Sequence, residues 1–313
     1  MMKIALLFSG QGAQYVGMGK ELYDNYEVAR DIFNKADEAL GFSLKSICFE
    51  GPNTELNKTE NTQPAILTTS IAALKVIQEK GINFDVVAGL SLGEYSAHVA
   101  AGTMSFNDAV TLVKKRGFFM QEAVPLGIGA MSAVLGMDKE VLNSCVNECK
   151  EFGVVEVANY NCPDQIVIAG EKDAVEKCGA LLSERGAKRV IPLTVSGPFH
   201  TSMMKPASER LFGELDKIEL NELSIPLISN VTAEYVNSTS DVKPLLVEQV
   251  MSSVKWEDSI KLMINDGVDT FIEVGPGRAL SGFVRKISRN VNIFNVEDIK
   301  SLDKTIDGLS KLN

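Results

Sequence analysis

The chain has 313 residues, of which 45% are hydrophobic and 23% charged, a balance typical of a soluble globular fold. Its formal net charge of −10 weighs against nucleic acid and anionic membranes as partners. No apolar run is long enough to cross a bilayer, and the apolar part of "MMKIALLFSGQG" is too short for a signal peptide. The five cysteines contain no C-x-x-C pair, so we expect neither a disulfide framework nor a zinc site. A cytoplasmic location is therefore expected.

The first third of the chain alternates between strand-like and helix-like segments. Short apolar runs at residues 4–8 and 84–88 are typical of buried strands. Helical patterns follow at about residues 19–40, 62–80 and 105–123, the last with Ser105 as its N-cap. This alternation predicts an α/β fold with a parallel sheet covered by helices.

The middle of the chain follows a different order. Strand patterns at residues 130–135, 154–159, 165–169 and 189–193 are interleaved with helical patterns at 139–152 and 173–185. The resulting β-α-β-β-α-β order is that of a ferredoxin-like unit. We therefore predict a small subdomain over residues 127–195, inserted into a larger core formed by residues 1–126 and 196–313.

The core pattern resumes after the insertion. Strand-like runs at residues 225–229 and 270–275 and helical runs at about 242–251 and 279–287 complete it. The turn "EVGPGRAL" joins the last strand and helix, and we predict a structural role for it.

A candidate nucleophile follows the strand at residues 84–88. Gly89-Leu90-Ser91-Leu92-Gly93 stands between that strand and a helical run, which is the context of a nucleophile elbow. The helix N-terminus after such a turn presents free N–H groups where an oxyanion would form. The alternative is that Ser91 simply caps the helix.

The base for such a serine must come from the two histidines of the chain. His98 lies two turns along the same helix, roughly 10 Å from Ser91, and cannot reach its hydroxyl. His200 lies in the irregular segment "TVSGPFHTSMMKPA", just after the predicted insertion. By elimination His200 is the candidate base. No acidic residue stands out as a third member, so a backbone carbonyl is as plausible a partner for its ring.

An arginine interrupts the apolar stripe of the helix at residues 105–123. Arg116 is three residues from Val113 and four from Met120, so it turns inward with them. A buried arginine needs an anionic or polar partner. It could form an internal salt bridge, extend its charge to solvent at the helix end, or grip a substrate carboxylate through two parallel hydrogen bonds.

The first strand leads into "FSGQGAQYVGMG", which lacks the third glycine of a dinucleotide-binding loop and the Gly-Lys-Ser/Thr of a P-loop. The loop is placed instead to offer backbone N–H groups beside the elbow.

These motifs together resemble the malonyl-CoA:acyl-carrier-protein transacylases, the freestanding acyltransferases of type II fatty acid synthesis. The resemblance extends over nearly the whole chain and rests on "GQGAQ" (10–14), "TQPA" (62–65), "GLSLGEYSA" (89–97), "KRGFFMQ" (115–121), "NYNCPDQIVIAG" (159–170), "GPFH" (197–200), the region of Gln249 and Trp256, and "EVGPG" (273–277). It implies an α/β-hydrolase-like large subdomain with a ferredoxin-like small one. It also implies an active site in the cleft between them.

The resemblance further assigns roles to individual residues. Ser91 is implied to be the nucleophile and His200 the base, and the backbone N–H groups of Gln11 and Leu92 the oxyanion hole. Arg116 would pair with the malonyl carboxylate. The main-chain carbonyl of Gln249 would orient His200. Two positions depart from the family pattern: Leu90 stands where a histidine is usual, and Ser253 where proline is expected.

The implied reaction is ping-pong transfer of malonyl from malonyl-CoA, through a malonyl-serine intermediate, to the phosphopantetheine thiol of acyl carrier protein. No metal and no cofactor is expected, and the chain is expected to act as a monomer. The carrier protein is acidic in this pathway, so docking would need local basic patches. The candidate patches are Lys114/Lys115, Lys188/Arg189 and Arg285/Lys286/Arg289.

Three alternatives remain from the residues alone. A polyketide-pathway acyltransferase would carry almost the same motifs. A carrier-protein acyl hydrolase or thioesterase would use the same Ser91 and His200, but would have no need for the inward-facing Arg116. A non-catalytic carrier-binding module would need neither Ser91 nor His200.

Overall fold

The computed structural model describes residues 2–195 and 197–312, which form two four-stranded sheets surrounded by helices. The strands are β1 (Ile4–Phe8), β2 (Val86–Gly89), β3 (Gly129–Leu135), β4 (Val155–Cys162), β5 (Gln165–Glu171), β6 (Arg189–Pro192), β7 (Thr270–Val274) and β8 (Asn292–Val296). The helices are α1 (Lys20–Asn25), α2 (Glu27–Leu40), α3 (Leu44–Glu50), α4 (Asn53–Leu56), α5 (Thr59–Glu79), α6 (Gly93–Ala100), α7 (Phe106–Glu122), α8 (Lys139–Cys149), α9 (Lys172–Glu184), α10 (Lys205–Leu215), α11 (Thr239–Gln249), α12 (Trp256–Asn265), α13 (Ala279–Ile287) and α14 (Ile299–Ser310).

The first sheet has the order β2-β1-β7-β8, and its neighbouring strands are parallel. All five residues of β1 are buried because helices cover both faces, as is usual for parallel sheets. Leu6 and Phe8 face a core that includes α5 and α7, whereas Ala5 and Leu7 face a second core that includes α12 and α13. The unbroken apolar sequence of β1 follows directly from this two-sided burial.

The second sheet has the order β4-β5-β3-β6 and is antiparallel. In chain order this is 2-3-1-4, and the helices α8 and α9 pack on one face, as the β-α-β-β-α-β pattern predicts. The predicted fold class, a large α/β part with a small ferredoxin-like one, is thereby confirmed. The boundaries at residues 126/127 and 195/196 stay predictions. Ser196, Met1 and Asn313 lie outside the described residues.

Several sequence-based boundaries need correction. The predicted helix at 19–40 is two helices, because Tyr26 is extended between α1 and α2. The helix predicted at 62–80 begins earlier, at Thr59, and accommodates Pro64 in its second turn. The strand predicted at 225–229 is wrong, since that segment makes only isolated bridges, from Leu227 to Val87 and from Ile228 to Tyr235.

Parts of the chain for which we made no prediction are also regular. They include α3, α10, α12, β8 and α14. Among the described residues, no helix has both the length and the apolar character needed to cross a bilayer.

Candidate active site

The elbow after β2 is so tight that both of its glycines are sterically required. A Cβ on Gly89 would lie 2.0 Å from the backbone oxygen of Gly93. A Cβ on Gly93 would lie 2.1 Å from the backbone oxygen of Phe8. The ends of β1 and β2 and the start of α6 therefore cross in backbone contact. Between the glycines, Ser91 has a φ of 53°, a left-handed conformation that is unfavourable for a serine and is found where a site demands it.

Asn230 holds this strained turn from a distant part of the chain. Its Oδ1 accepts a hydrogen bond from the backbone N–H of Ser91 at 2.6 Å, and its Nδ2 donates to the carbonyl of Gly89 at 2.7 Å. Both arms of the elbow are thus fixed by one buried amide. Sequence reasoning missed Asn230, because it follows the mispredicted segment 225–229 and belongs to none of the quoted motifs.

His200 meets the serine hydroxyl directly. Its Nε2 lies 2.7 Å from Ser91 Oγ, and its Nδ1 lies 2.8 Å from the main-chain oxygen of Gln249. A carbonyl can only accept, so Nδ1 carries the proton and Nε2 presents a lone pair to the hydroxyl. His200 also has a positive φ, 62°. Ser91 and His200 are therefore both held in unfavourable backbone conformations.

Burial keeps this imidazole neutral. Desolvation, followed by the positive charge of Arg116, lowers the pKa of His200 to about 4. His200 is therefore a neutral acceptor at physiological pH. The other histidine, His98, is buried in α6 with its Nδ1 2.9 Å from Thr103 Oγ1, and burial lowers its pKa to about 3. The structure places His98 among packing residues, as its position on the helix predicts.

Arg116 extends from α7 to the same hydroxyl. Its Nη2 donates to Ser91 Oγ at 3.3 Å and to Gln249 Oε1 at 3.0 Å, and its Nη1 donates to Gln63 Oε1 at 2.9 Å. The guanidinium carbon lies 5.2 Å from the ring centre of Tyr95. Gln63 belongs to the quoted "TQPA" motif, but sequence reasoning gave it no role.

The guanidinium is only 1% exposed, yet no carboxylate of residues 2–195 or 197–312 lies within 4.0 Å of it. Two of the three alternatives for Arg116 are therefore excluded within the described residues: it forms no internal salt bridge, and its charge does not reach solvent. Neutral amide oxygens compensate the cation only partly, so the position favours an incoming anion.

These groups line a cleft of about 430 Å³ between the two sheets. The loops after β1, β2 and β7 form one wall at the carboxyl edge of the parallel sheet, where ligands bind in such folds. The wall from the antiparallel sheet consists of Met131, Ala133, Asn159, Asn161, Gln165 and Val167. Gly277 and Arg278 also line the cleft. The "EVGPGRAL" turn, for which only a structural role was predicted, is therefore part of its rim.

The predicted oxyanion donors remain available. Within the described ranges, neither the Gln11 nor the Leu92 backbone N–H donates to another protein group. Gln11 lines the cleft at the end of β1, and Leu92 is the N-cap of α6. Leu92 is fully buried, and buried backbone donors without partners are rare in proteins, which makes its N–H notable beside the serine.

The described residues contain no group of three or more His, Cys, Asp or Glu side chains suited to holding a metal ion. The cysteines at positions 48, 145, 149, 162 and 178 are buried and free.

The cleft holds a serine hydroxyl beside a neutral imidazole, which is the arrangement that serine-dependent group-transfer enzymes use. Comparison with known families narrows this class. The chain belongs to the acyl transferase domain family, which it matches over residues 5–304.

Its relatives share the whole length of the chain. The malonyl CoA-acyl carrier protein transacylase of Bacillus subtilis is 51% identical and aligns with 100% of this chain and 99% of its own. The crystal structure of the Clostridium perfringens enzyme of the same name has a TM-score of 0.96 at 50% identity, covering 99% and 98% of the two chains. A malonyl-transacylase in complex with a type II PKS acyl-carrier protein has a TM-score of 0.95 at 40% identity, covering 98% and 99%.

Proposed function

We propose that this protein transfers a malonyl group from malonyl-CoA to the phosphopantetheine thiol of acyl carrier protein. The observation that carries the proposal is the position of Ser91 Oγ, 2.7 Å from His200 Nε2 and 3.3 Å from Arg116 Nη2. A base and an incompletely neutralised cation thus meet at one hydroxyl. The relatives that match nearly the whole chain are malonyl CoA-acyl carrier protein transacylases, which supports the choice of malonyl donor and carrier acceptor.

In the first half-reaction, His200 Nε2 takes the hydroxyl proton as Ser91 Oγ attacks the thioester carbonyl. The resulting oxyanion is stabilised by the N–H groups of Gln11 and Leu92. Its collapse breaks the C–S bond, and the proton on His200 passes to the leaving coenzyme A thiolate. A malonyl-serine ester remains.

In the second half-reaction, the thiol of the carrier's phosphopantetheine arm enters the same cleft. His200 takes the thiol proton as sulfur attacks the ester carbonyl, and the same N–H groups hold the second oxyanion. The proton then returns to Ser91 Oγ as the C–O bond breaks. The main-chain carbonyl of Gln249, 2.8 Å from Nδ1, keeps the ring in one tautomer throughout.

Arg116 selects the acyl group in this proposal. The free carboxylate of malonyl can pair with the guanidinium at the base of the cleft. An acetyl group would leave that cation without an anion and shielded from water, a mismatch that discriminates strongly. A general acyl hydrolase would gain nothing from this residue, so the arginine favours transfer of malonyl over the thioesterase alternative.

The proposed chemistry uses only side chains and backbone groups of the chain, with coenzyme A as part of a substrate and no cofactor. We also propose a cytoplasmic location, supported by the five buried, unpaired cysteines. The polyketide alternative differs in the carrier protein that accepts the malonyl group and not in the reaction. One observation favours it, the similar malonyl-transacylase that was solved in complex with a type II PKS acyl-carrier protein. Transfer to carrier proteins of the two pathways, measured side by side, decides between them.

Intact-mass analysis after incubation with malonyl-CoA tests the proposal. The parent protein should gain one malonyl group, and Ser91→Ala should gain none. Ser96→Ala provides a matched control, because Ser96 is a buried serine of α6, the helix that follows the elbow, and lies outside the cleft. Arg116→Ala should acquire acetyl and malonyl at comparable rates. A malonyl adduct that persists on Ser91→Ala would overturn the mechanism.

A further inference from the structure

One buried carboxylate near the site has no role in the reaction as proposed so far. Glu94 lies in the first turn of α6, three residues after Ser91, and is 0% exposed. Its Oε2 accepts a hydrogen bond from Gln249 Nε2 at 2.6 Å and another from the backbone N–H of Asn230 at 3.1 Å. Neither donor is charged. Burying the carboxylate of Glu94 without a hydrogen-bonded cation costs free energy, so we looked for a function that this residue serves.

Its first partner, Gln249, forms hydrogen bonds with Ser91, His200 and Arg116. The amide oxygen of Gln249 accepts from Arg116 Nη2, and its amide nitrogen donates to the main-chain oxygen of Ser91 at 3.0 Å. Its own main-chain oxygen meets His200 Nδ1. Glu94 therefore contacts the two amide residues, Gln249 and Asn230, that hold the elbow, the base and the arginine in place.

The chemistry of an amide gives Glu94 a specific task. The oxygen and nitrogen of a glutamine amide have nearly the same shape, so packing alone does not decide which of them faces Arg116. An ionised carboxylate can only accept hydrogen bonds, so it reinforces the orientation that the Arg116 donor and the Ser91 carbonyl acceptor also require. The NH₂ of Gln249 turns toward Glu94 and its oxygen toward Arg116. The reverse orientation would set the NH₂ group against the guanidinium and leave the carboxylate with the backbone N–H of Asn230 as its remaining donor.

We propose that Glu94 is a positioning residue, whose ionised carboxylate fixes the orientation of the Gln249 amide and thereby holds Arg116 and Ser91 in their reactive arrangement. Glu94 does not touch substrate. It acts through Gln249, and the inference rests on the proposed function because its effect is read from malonyl transfer.

The fixed orientation of the Gln249 amide depends on the ionisation of Glu94. The titratable groups that act on it are Arg116 of α7 and Tyr95 of its own helix, and His200 lies beyond Ser91. Burial raises the pKa of Glu94 to about 7, against the lowering effect of its hydrogen bonds and of Arg116. A protonated carboxyl can donate as well as accept, so the orientation of the Gln249 amide is held less strictly as pH falls through this value. His200, with a pKa of about 4, is still a neutral base there.

The test is the pH profile of malonyl-serine formation on the full-length protein. For the parent, kcat/KM should fall with a midpoint near pH 7 as Glu94 takes up a proton. Glu94→Gln can present either end of its amide at any pH. We therefore expect this variant to lose about tenfold in kcat/KM at pH 8 and to lack the fall near pH 7.

A double-mutant cycle separates positioning from general damage to the fold. Gln249→Met removes the amide that Glu94 orients, so adding Glu94→Gln to it should change kcat/KM less than about twofold. Additive losses would mean that Glu94 does not act through Gln249. The control is Glu273→Gln. It alters another buried carboxylate, which accepts from the backbone N–H groups of Leu280 and Ser281, and should lower thermal stability without changing the pH profile.

The inference is overturned if folded Glu94→Gln keeps the parent's fall near pH 7 or the parent's kcat/KM. If that variant does not fold, the parent alone still decides, since a parent profile that is flat between pH 5.5 and 8.5 also overturns it. Failure of the proposed function would give a different result from failure of this inference. If the proposed function is wrong, the parent protein itself forms no malonyl adduct on Ser91.

Discussion

At the scale of single residues, the two side chains proposed to react were predictable and most of those that hold them were not. Ser91 was found from its glycine-flanked turn and His200 by elimination among two histidines. Asn230 and Gln63 reach the site from segments far away in sequence, and no local pattern assigns them a partner. Glu94 stands inside a quoted motif, but only the fold turns its carboxylate toward Gln249. Roles that depend on a distant partner cannot be read from spacing along one helix.

Phe199 should restrict the acyl group at the α-carbon. Its side chain is 7% exposed and lines the cleft beside His200. We expect Phe199→Ala to raise kcat/KM for methylmalonyl-CoA relative to malonyl-CoA by about tenfold, because the shortened side chain leaves room for a branching methyl group. Competition between the two thioesters, followed by intact mass, measures this ratio. An unchanged ratio would assign the discrimination to another group.

At the scale of elements, the segments with strong periodicity were predicted well, and errors arose where burial or pairing is partial. The order β-α-β-β-α-β was predicted from the apolar patterns of its strands and helices. The positions of β1, β2 and β7 were predicted in the same way, because these strands are buried and their sequences are apolar. Residues 225–229 have a strand-like composition but make only isolated bridges, so composition alone misled. The strand β8 was missed because four of its five residues are only partly buried and its sequence lacks a clear alternation.

The elbow itself provides a prediction at this scale. Gly93→Ala would place a methyl group 2.1 Å from the backbone oxygen of Phe8, so α6 would have to move away from β1. We expect the free energy of unfolding to fall by about 3 kcal/mol or more, beyond the usual cost of overpacking. Urea unfolding monitored by circular dichroism measures this change.

The matched control is Gly213→Ala. Gly213 lies inside α10, and nothing lies within 4 Å of the added methyl group. This variant should gain about 0.5–1 kcal/mol from helix propensity. Equal stabilities for the two variants would contradict the packing described for the elbow.

At the scale of the whole molecule, stability should depend on pH mainly through three buried groups whose pKa values are strongly shifted. The smaller rise that burial causes in the pKa of Glu273 acts in the same direction as that of Glu94. Burial lowers the pKa of His98 to about 3 and that of His200 to about 4, so unfolding takes up protons below pH 6.5. Burial raises the pKa of Glu94 to about 7, so between pH 7 and 4.5 the folded chain binds the extra proton and gains stability as pH falls. Two groups oppose one.

We therefore expect a net loss of about 2 kcal/mol between pH 6.5 and pH 5, from about 1.4 kcal/mol per group and pH unit. Glu94→Gln should lose about twice as much over the same interval, because its opposing contribution is gone. Urea midpoints for both proteins across this range measure the difference. Parallel curves would contradict the raised pKa of Glu94.

Because the carrier protein is expected to be acidic, this acidic chain needs a local basic patch to attract it. Lys114 and Lys115 already pair with Glu60 and Glu214, whereas Arg285, Lys286 and Arg289 border an open depression with Asp164 and make no ion pair within the described residues. Arg285→Glu should therefore slow transfer to the carrier by about tenfold and spare malonyl-serine formation. Lys115→Glu is the comparison. Equal slowing by both variants would point to net charge instead of this patch.

The position of β7 has a consequence for the order in which the protein can become active. This strand is made late, yet it lies at the centre of the parallel sheet, with Ile4 paired to Thr270 and β8 on its other side. A growing chain that already displays Ser91, His200 and Gln249 therefore still lacks half of the sheet whose edge carries the cleft. During synthesis, Ser91 should remain unreactive toward malonyl-CoA until β7 and β8 have left the ribosome.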